Sequence, residues 1–173
     1  MRRLISNQRG MTLAEVMVAL PIITIGLLAL LSVIPLSTYA IQDGSQTSTA
    51  TFLANQRLDQ VRNAQWMATC PPTPDNLGVS ASSTAAPVNG AAVTTFADEN
   101  SIAAPYAAYT RQVRITDSVA STTVCNVATG AITGTYGFRT VTVTVTYQPL
   151  SATGTNAVSG PRSVAVNMQI AQR

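Results

Sequence analysis

The chain has 173 residues, of which 46% are hydrophobic and only 10% are charged. That length suffices for one membrane segment and one modest domain, and the charged fraction is well below the roughly 25% that is usual in soluble domains. The formal charge of +3 comes from Arg2, Arg3 and Arg9, because the rest of the chain carries seven arginines and seven acids. Since positive charge beside an apolar segment stays in the cytoplasm, this balance indicates a membrane topology signal and not a nucleic-acid surface.

A polar segment, residues 1–10, precedes a long apolar run. Residues 16–36 contain no charge, and this span of 21 residues matches the roughly 20 helical residues that cross a bilayer core. It is longer than the apolar part of an ordinary secretory signal, which has roughly 7–15 residues and a cleavage site after it. We therefore expect one membrane span with the C-terminal part exported, and an uncleaved signal anchor is the alternative.

Glu15 is the only charge between Arg9 and Asp43, and it lies at the start of this apolar run. An ionised carboxylate in hydrocarbon costs roughly several kcal/mol unless a partner neutralises it. If the chain is cut after Gly10, a new ammonium group appears at Met11 and supplies that cation to the Glu15 of a neighbouring subunit. The alternative is a carboxylate at the membrane surface, where it also stabilises the positive end of a helix.

A helical pattern continues beyond the apolar run. Apolar residues recur every three or four positions, so we predict one helix from Met11 to Trp66, apolar all round in its first half and amphipathic in its second. Pro21 and Pro35 predict local loosening of this helix. Arg57 falls inside the apolar stripe and either extends to its edge or pairs with an acid elsewhere. The stripe consists of Ala50, Ala54, Leu58, Val61 and Ala64.

Three prolines within residues 71–74 end the helix, and residues 75–105 are predicted to form a long loop. Two acids in this loop, Asp98 and Glu99, are adjacent; they either ligate calcium or belong to a solvated loop. The chain has two cysteines, Cys70 and Cys125. In an oxidising compartment such a pair favours one disulfide, and two unrelated buried thiols are the alternative.

The last third of the chain has the alternation of β-strands. Tyr109–Asp117, Thr140–Tyr147 and Ser163–Ile170 each place apolar residues on one face, and Val119–Val127 is a weaker candidate. The last two strong strands are expected to form a hairpin with a long loop. One apolar face in each strand predicts an antiparallel sheet that is covered on one side by the amphipathic half of the helix.

The predicted fold class is therefore α+β, with a long N-terminal α-helix, membrane-spanning and then amphipathic, packed on a C-terminal antiparallel β-sheet. The expected organisation is a leader peptide, a transmembrane and assembly half of the helix, an amphipathic half, a loop region and a sheet head. Their boundaries are 1–10, 11–38, 39–69, 70–105 and 106–173.

Catalysis is not expected from this composition. The chain has no histidine, which is the commonest metal ligand and general base. The two cysteines lack the spacing of a metal site, and no glycine-rich phosphate loop is present. We predict no catalytic residues, no metal site and no cofactor.

Residues 8–15, QRGMTLAE, followed by the apolar run, resemble the class III signal of type IV pilins and type II secretion pseudopilins. That family has a glycine, then usually a phenylalanine, then Thr-Leu-x-Glu; here Met11 replaces the phenylalanine. The resemblance implies that a prepilin peptidase cuts after Gly10 and methylates Met11. It also implies that Glu15 and Met11 act in filament assembly and that the chain has a pilin fold.

Residues 52–63, FLANQRLDQVRN, and the two terminal strands resemble PilV-type minor pilins. This resemblance implies a structural subunit of the pilus, or fimbrium, that acts in adhesion, motility or DNA uptake. The implied partners are other pilin subunits, prepilin peptidase, the inner-membrane assembly platform and the membrane. The implied location is a single pass in the bacterial inner membrane with the C-terminus outside, and then the pilus surface.

Other readings remain open at this point. They are a major pilin, a minor pseudopilin of a type II secretion system, and a single-pass anchored binding protein with residues 71–105 as its ligand site. A membrane-anchored hydrolase would require a base that the sequence lacks.

Overall fold

The structure, a computed structural model, describes residues 11–67, 70, 75–149 and 160–173. It divides into a compact unit that ends at Gln42 and a second unit from Asp43 to Arg173, which we call the head. The predicted cleavage residue Gly10 lies outside the described residues. In chain order the elements are α1 (Leu13–Arg62), β1 (Val79–Ser80), β2 (Pro87–Val88), β3 (Tyr109–Val119), β4 (Val124–Asn126), β5 (Ala131–Thr133), β6 (Phe138–Tyr147) and β7 (Arg162–Ala171).

The long N-terminal helix is confirmed, and its helical backbone is uninterrupted at Pro21 and Pro35. α1 ends at Arg62, four residues before the predicted end at Trp66. Trp66 is nevertheless buried, and its carbonyl accepts a hydrogen bond from the N–H of Arg173 at 3.3 Å. The chain has thus left helical geometry where Trp66 meets the end of the sheet.

One face of the second half of α1 covers the sheet of the head. The helical spacing predicted this face, and its apolar members before the last turn are buried as expected. Leu53 joins them with 1% of its surface exposed. The buried residues of this face are Ala50, Leu53, Ala54, Leu58 and Val61.

The main sheet contains three antiparallel strands in the order β3, β6, β7. The valines of β6 have no exposed surface, whereas the threonines between them are half-buried. This difference confirms the predicted alternation and the α+β fold class, because only one face lies against α1. The predicted hairpin is also confirmed, since β6 pairs with β7 from Phe138↔Ala171 to Tyr147↔Arg162. The buried valines are Val141, Val143 and Val145.

The weaker strand predicted over Val119–Val127 is confirmed only at Val124–Asn126, which is shorter than expected. Val119 ends β3, and β4 pairs with β5 in a separate two-stranded sheet. The turn between them closes at Gly130, which has φ +68° and donates its N–H to the carbonyl of Asn126 at 2.8 Å. The sequence did not predict β5, because three residues are too few for an alternation to be recognised.

The segment 75–108 contributes to the core of the head. Leu77 has no exposed surface and Phe96 is buried, although the sequence pattern there is that of a loop. β1 and β2 pair inside this segment. Gly78 has φ +70°, and a Cβ on it would lie 2.8 Å from the carbonyl carbon of Val88. Glycine is therefore required at this close approach.

Cys70 and Cys125 form a disulfide with their Cα atoms 5.2 Å apart. It joins the chain beyond α1 to β4, across a sequence separation of 55 residues. In the chain-entropy model, a cross-link of this span restricts the unfolded chain by roughly 4 kcal/mol.

Replacing Cys70 and Cys125 together with serine is expected to lower the free energy of unfolding by about 2–4 kcal/mol. Urea unfolding of the full-length protein in detergent measures this loss. Reductant should destabilise the wild-type protein similarly and leave the double serine variant unchanged. Equal stability of the two oxidised samples would contradict the expectation.

Candidate functional site

Thr12 caps the N-terminus of α1. Its Oγ1 accepts a hydrogen bond from the backbone N–H of Glu15 at 3.3 Å, and its carbonyl accepts the N–H of Glu15 at 3.0 Å. The two residues have the spacing of a capping box, in which a threonine and a glutamate three residues later satisfy N–H groups at a helix start. This role of Thr12 was not predicted above, although the spacing is present in the sequence. The cap holds Glu15 in the first helical turn.

Glu15 is exposed and forms no salt bridge with any residue that the structure describes. A carboxylate in the first turn is favoured by the helix dipole by about 0.3–1 kcal/mol. Met11, four positions earlier, is 76% exposed. Both groups are therefore accessible to a second molecule.

The side chains of α1 that follow Glu15 form an apolar surface without a partner among the described residues. Met17 is 66% exposed, Ile25 is 68% exposed and Leu30 is 67% exposed. Such a surface is unfavourable in water at about 25 cal/mol for each Å². It requires lipid or other apolar helices around it.

The polar side chains of this stretch bond within the helix. Thr24 Oγ1 donates to the carbonyl of Leu20, and Ser32 Oγ donates to the carbonyl of Ala29, both at 2.7 Å. Their hydroxyl groups therefore need no water. Among the described residues one helix, α1, is long and apolar enough to cross a membrane.

In the head, the adjacent acids Asp98 and Glu99 hold arginine side chains. Asp98 bonds Arg114 through two nitrogens, at 2.6 and 2.8 Å. Glu99 contacts Arg111 at 2.7 Å and Arg57 at 3.2 Å. The expectation of a solvated acidic loop is therefore wrong, and Arg57 pairs with an acid. Within the described ranges, no group of three His, Cys, Asp or Glu side chains suits a metal ion.

Arg57 is the arginine of this cluster whose guanidinium is incompletely hydrogen-bonded to the described residues. Its guanidinium lies over the ring of Phe96 at 5.2 Å, and its Nε has no hydrogen-bond partner among the described residues. Burial lowers the pKa of Arg57, Glu99 opposes that effect, and the nearby Arg111 adds to it. The charge of Arg57 thus depends on Glu99.

Hydrogen bonds from Arg114 hold the pKa of Asp98 below its ordinary value, and Asp98 in turn raises the pKa of Arg114. A carboxylate with a lowered pKa in the folded state binds fewer protons there than in the unfolded chain. Its stabilising contribution is present above about pH 4 and is lost as the pH falls through the lowered pKa.

We expect the thermal midpoint of the wild-type protein to fall more steeply below about pH 4 than that of Asp98→Asn. A series of unfolding curves from neutral to strongly acid pH measures the two slopes. Asp59→Asn is the control, because Asp59 is exposed and has no salt bridge among the described residues. Parallel curves for Asp98→Asn and the wild type would contradict this assignment.

Comparison with protein families gives a match for the N-terminal segment. Residues 5–31 match the family described as the prokaryotic N-terminal methylation motif. This match supports the type IV pilin and pseudopilin family for the chain. The match includes Gly10, Met11 and Glu15 and ends within α1, before the head. Comparisons with curated proteins and with solved structures give no match.

Several coarse properties accompany this motif. Proteins of the pilin-type family that carries it are structural and not enzymatic. They are made as precursors for a prepilin peptidase and assemble with other pilin subunits. The apolar first half of α1 fits membrane anchoring and a place in a pilus.

Proposed function

We propose that this protein is a minor pilin of a type IV pilus. Prepilin peptidase cuts after Gly10 and methylates the new N-terminus at Met11. The mature subunit resides in the bacterial inner membrane as a single-pass protein with its head in the periplasm, and then enters the filament on the cell surface. The observation that carries this proposal is a methylation motif that continues into an apolar, uncovered helix.

Glu15 and Met11 are the residues that direct assembly in this proposal. When the subunit leaves the lipid, the Glu15 carboxylate pairs with the N-terminal ammonium of Met11 in an adjacent subunit. The surrounding apolar helices screen the pair weakly, so it attracts the subunits and also sets their register. Thr12 supports this role, since its cap holds Glu15 in the first turn.

The minor class is favoured by the resemblance of residues 52–63 and of the terminal strands to PilV-type subunits. The corresponding roles are adhesion, motility or DNA uptake, with the inner-membrane assembly platform as a partner. A minor pseudopilin of a type II secretion system shares the same signal and is the second candidate. Recovery of the protein in sheared surface filaments supports the pilin, whereas copurification with secretion machinery supports the pseudopilin.

The intact mass of the protein purified from its own membranes tests processing. We expect the mass of residues 11–173 with one additional methyl group, and a further loss of two protons for the Cys70–Cys125 disulfide. A variant with Gly10→Val is the control and should keep residues 1–10. Filaments that contain the uncut chain would contradict the proposal, and an uncleaved membrane protein without filaments would favour an anchored binding protein.

A further inference from the structure

The two edges of the main sheet differ in how they are covered. The outer edge of β3 bonds to the segment before it, because the N–H of Arg111 donates to the carbonyl of Glu99 at 2.8 Å and the reverse bond is 2.9 Å. Further along this edge, the Ser80 hydroxyl accepts the N–H of Ile115 at 3.0 Å. The chain therefore protects this edge itself.

β7 is the outer strand of this sheet, and no strand among the described residues pairs with its free edge. Its register with β6 is regular over all ten residue pairs, without a bulge. The residues 163–171 include no charge and no proline. Exposed edges in natural proteins are normally interrupted by charges, prolines or bulges, because a regular edge pairs with other strands. The outer edge of β7 is therefore long and regular enough to pair with another β-strand.

Backbone hydrogen bonds show which groups of β7 point outward. The N–H of Gln172 donates to the carbonyl of Gly137 at 2.9 Å, on the β6 side, and the N–H of Arg173 donates away from it to Trp66 at 3.3 Å. Since successive residues of a strand point to opposite neighbours, the odd-numbered residues of β7 direct their N–H and C=O groups outward. These residues are Ser163, Ala165, Asn167, Gln169 and Ala171.

A groove of about 320 Å³ lies beside this edge, between the ends of α1 and β7. Its walls include Arg62, Arg173, Met168 and Ile170. The last two are only half-buried, although they lie on the core face of the sheet. An added strand would complete the cover of this apolar face.

The groove also carries charge that the described part of the chain does not neutralise. Five arginines of the head form salt bridges, whereas Arg62 and Arg173 are exposed and form none with the described residues. Both line the groove. Its occupant should therefore bring carboxylates as well as apolar side chains. The paired arginines are Arg57, Arg111, Arg114, Arg139 and Arg162.

We propose that the free edge of β7 binds an extended strand of another polypeptide, with apolar side chains at alternate positions and carboxylates at the end beside Arg62 and Arg173. Main-chain hydrogen bonds provide the pairing, and the groove selects the acidic end. A second copy does not supply this occupant through its own β7, because residues 163–171 contain no carboxylate. The inference does not depend on cleavage after Gly10, so either proposal can fail alone.

Labelled peptides test the inference by fluorescence anisotropy on the full-length protein in detergent. The probe alternates threonine and valine and has two aspartates at one end; a second probe has two lysines in their place. We expect the acidic probe to bind about tenfold tighter, which corresponds to roughly 1.4 kcal/mol. Arg62→Gln with Arg173→Gln should remove this difference, and Arg162→Gln is the matched control that should keep it.

Backbone N-methylation distinguishes strand pairing from simple adhesion to the groove. Methyl groups on one alternate set of peptide nitrogens should abolish binding of the acidic probe, and methyl groups on the other set should not, because only one edge of the peptide faces β7. Equal effects of the two sets, or equal binding of acidic and basic probes, would overturn the proposal. Binding of anionic vesicles through Arg62 and Arg173, without peptide binding, would also overturn it.

Discussion

Replacing Glu15 with valine is expected to leave the protein in the membrane and to exclude it from filaments. Valine extends the apolar run, so insertion is not impaired. In the filament, the N-terminal ammonium group of a neighbouring subunit loses its counter-ion, and a stranded buried charge costs about 3–5 kcal/mol. That corresponds to a loss of incorporation of roughly 100-fold or more. Immunoblots of the membrane fraction and of sheared filaments measure the two quantities separately.

Two control variants separate the pairing from a general effect of charge. Glu15→Asp keeps the anion but shortens it, so we expect partial incorporation. Asp59→Asn removes an exposed acid from the head part of α1, so filaments should retain it at the wild-type level. Normal incorporation of Glu15→Val would eliminate the ion pair as the basis of assembly.

Thr12 explains why this glutamate suits a pairing role. A carboxylate on a frayed helix end samples many positions, whereas the Thr12 cap orders the first turn of α1. In the proposed pairing, Glu15 therefore starts from a defined turn, and less conformational entropy is lost when it meets the N-terminus of a neighbour. The local fold and the proposed function depend on the same few contiguous residues.

The features that were predicted correctly from the sequence are those formed by residues close together in the chain. The motif at Gly10–Glu15 is a short linear pattern, and the periodicities of α1, β6 and β7 repeat over many residues. Each repeat adds to the signal, so the element types and the buried faces were predictable. The two-residue strands β1 and β2 and the three-residue strand β5 contain too few repeats to be detected, and β4 was predicted only as part of a longer strand.

The rest depends on contacts between distant residues. Arg111 lies 58 positions from Leu53, whose carbonyl accepts a bond from its Nη1 at 3.1 Å. No local sequence pattern predicts such a contact. The burial of Leu77 is likewise not predicted by the residues around it. The free edge of β7 follows from strand order and from the backbone bonds of Gln172. These properties appear only when the chain is folded.

Glu99→Gln is expected to destabilise the head by about 3–5 kcal/mol, because one acid neutralises two poorly exposed cations. The side chain of Arg111 is 6% exposed and that of Arg57 is 16% exposed. Asp98→Asn is the matched control, since Asp98 and Glu99 are adjacent and each is 29% exposed, but Asp98 pairs with Arg114 alone. We expect a clearly smaller loss for the control in urea unfolding of the full-length protein.

A second substitution in the Glu99→Gln background shows whether stranded charge causes this loss. Arg57→Met removes one of the two unpaired guanidinium groups and keeps the apolar stem that packs against Phe96. If uncompensated charge dominates, the double variant should be more stable than Glu99→Gln alone, although it has lost one more polar group. If it is less stable, the contribution of Glu99 comes from hydrogen bonds that position the 98–102 segment on β3. The sign of this difference therefore decides between the electrostatic and the positional account of the cluster.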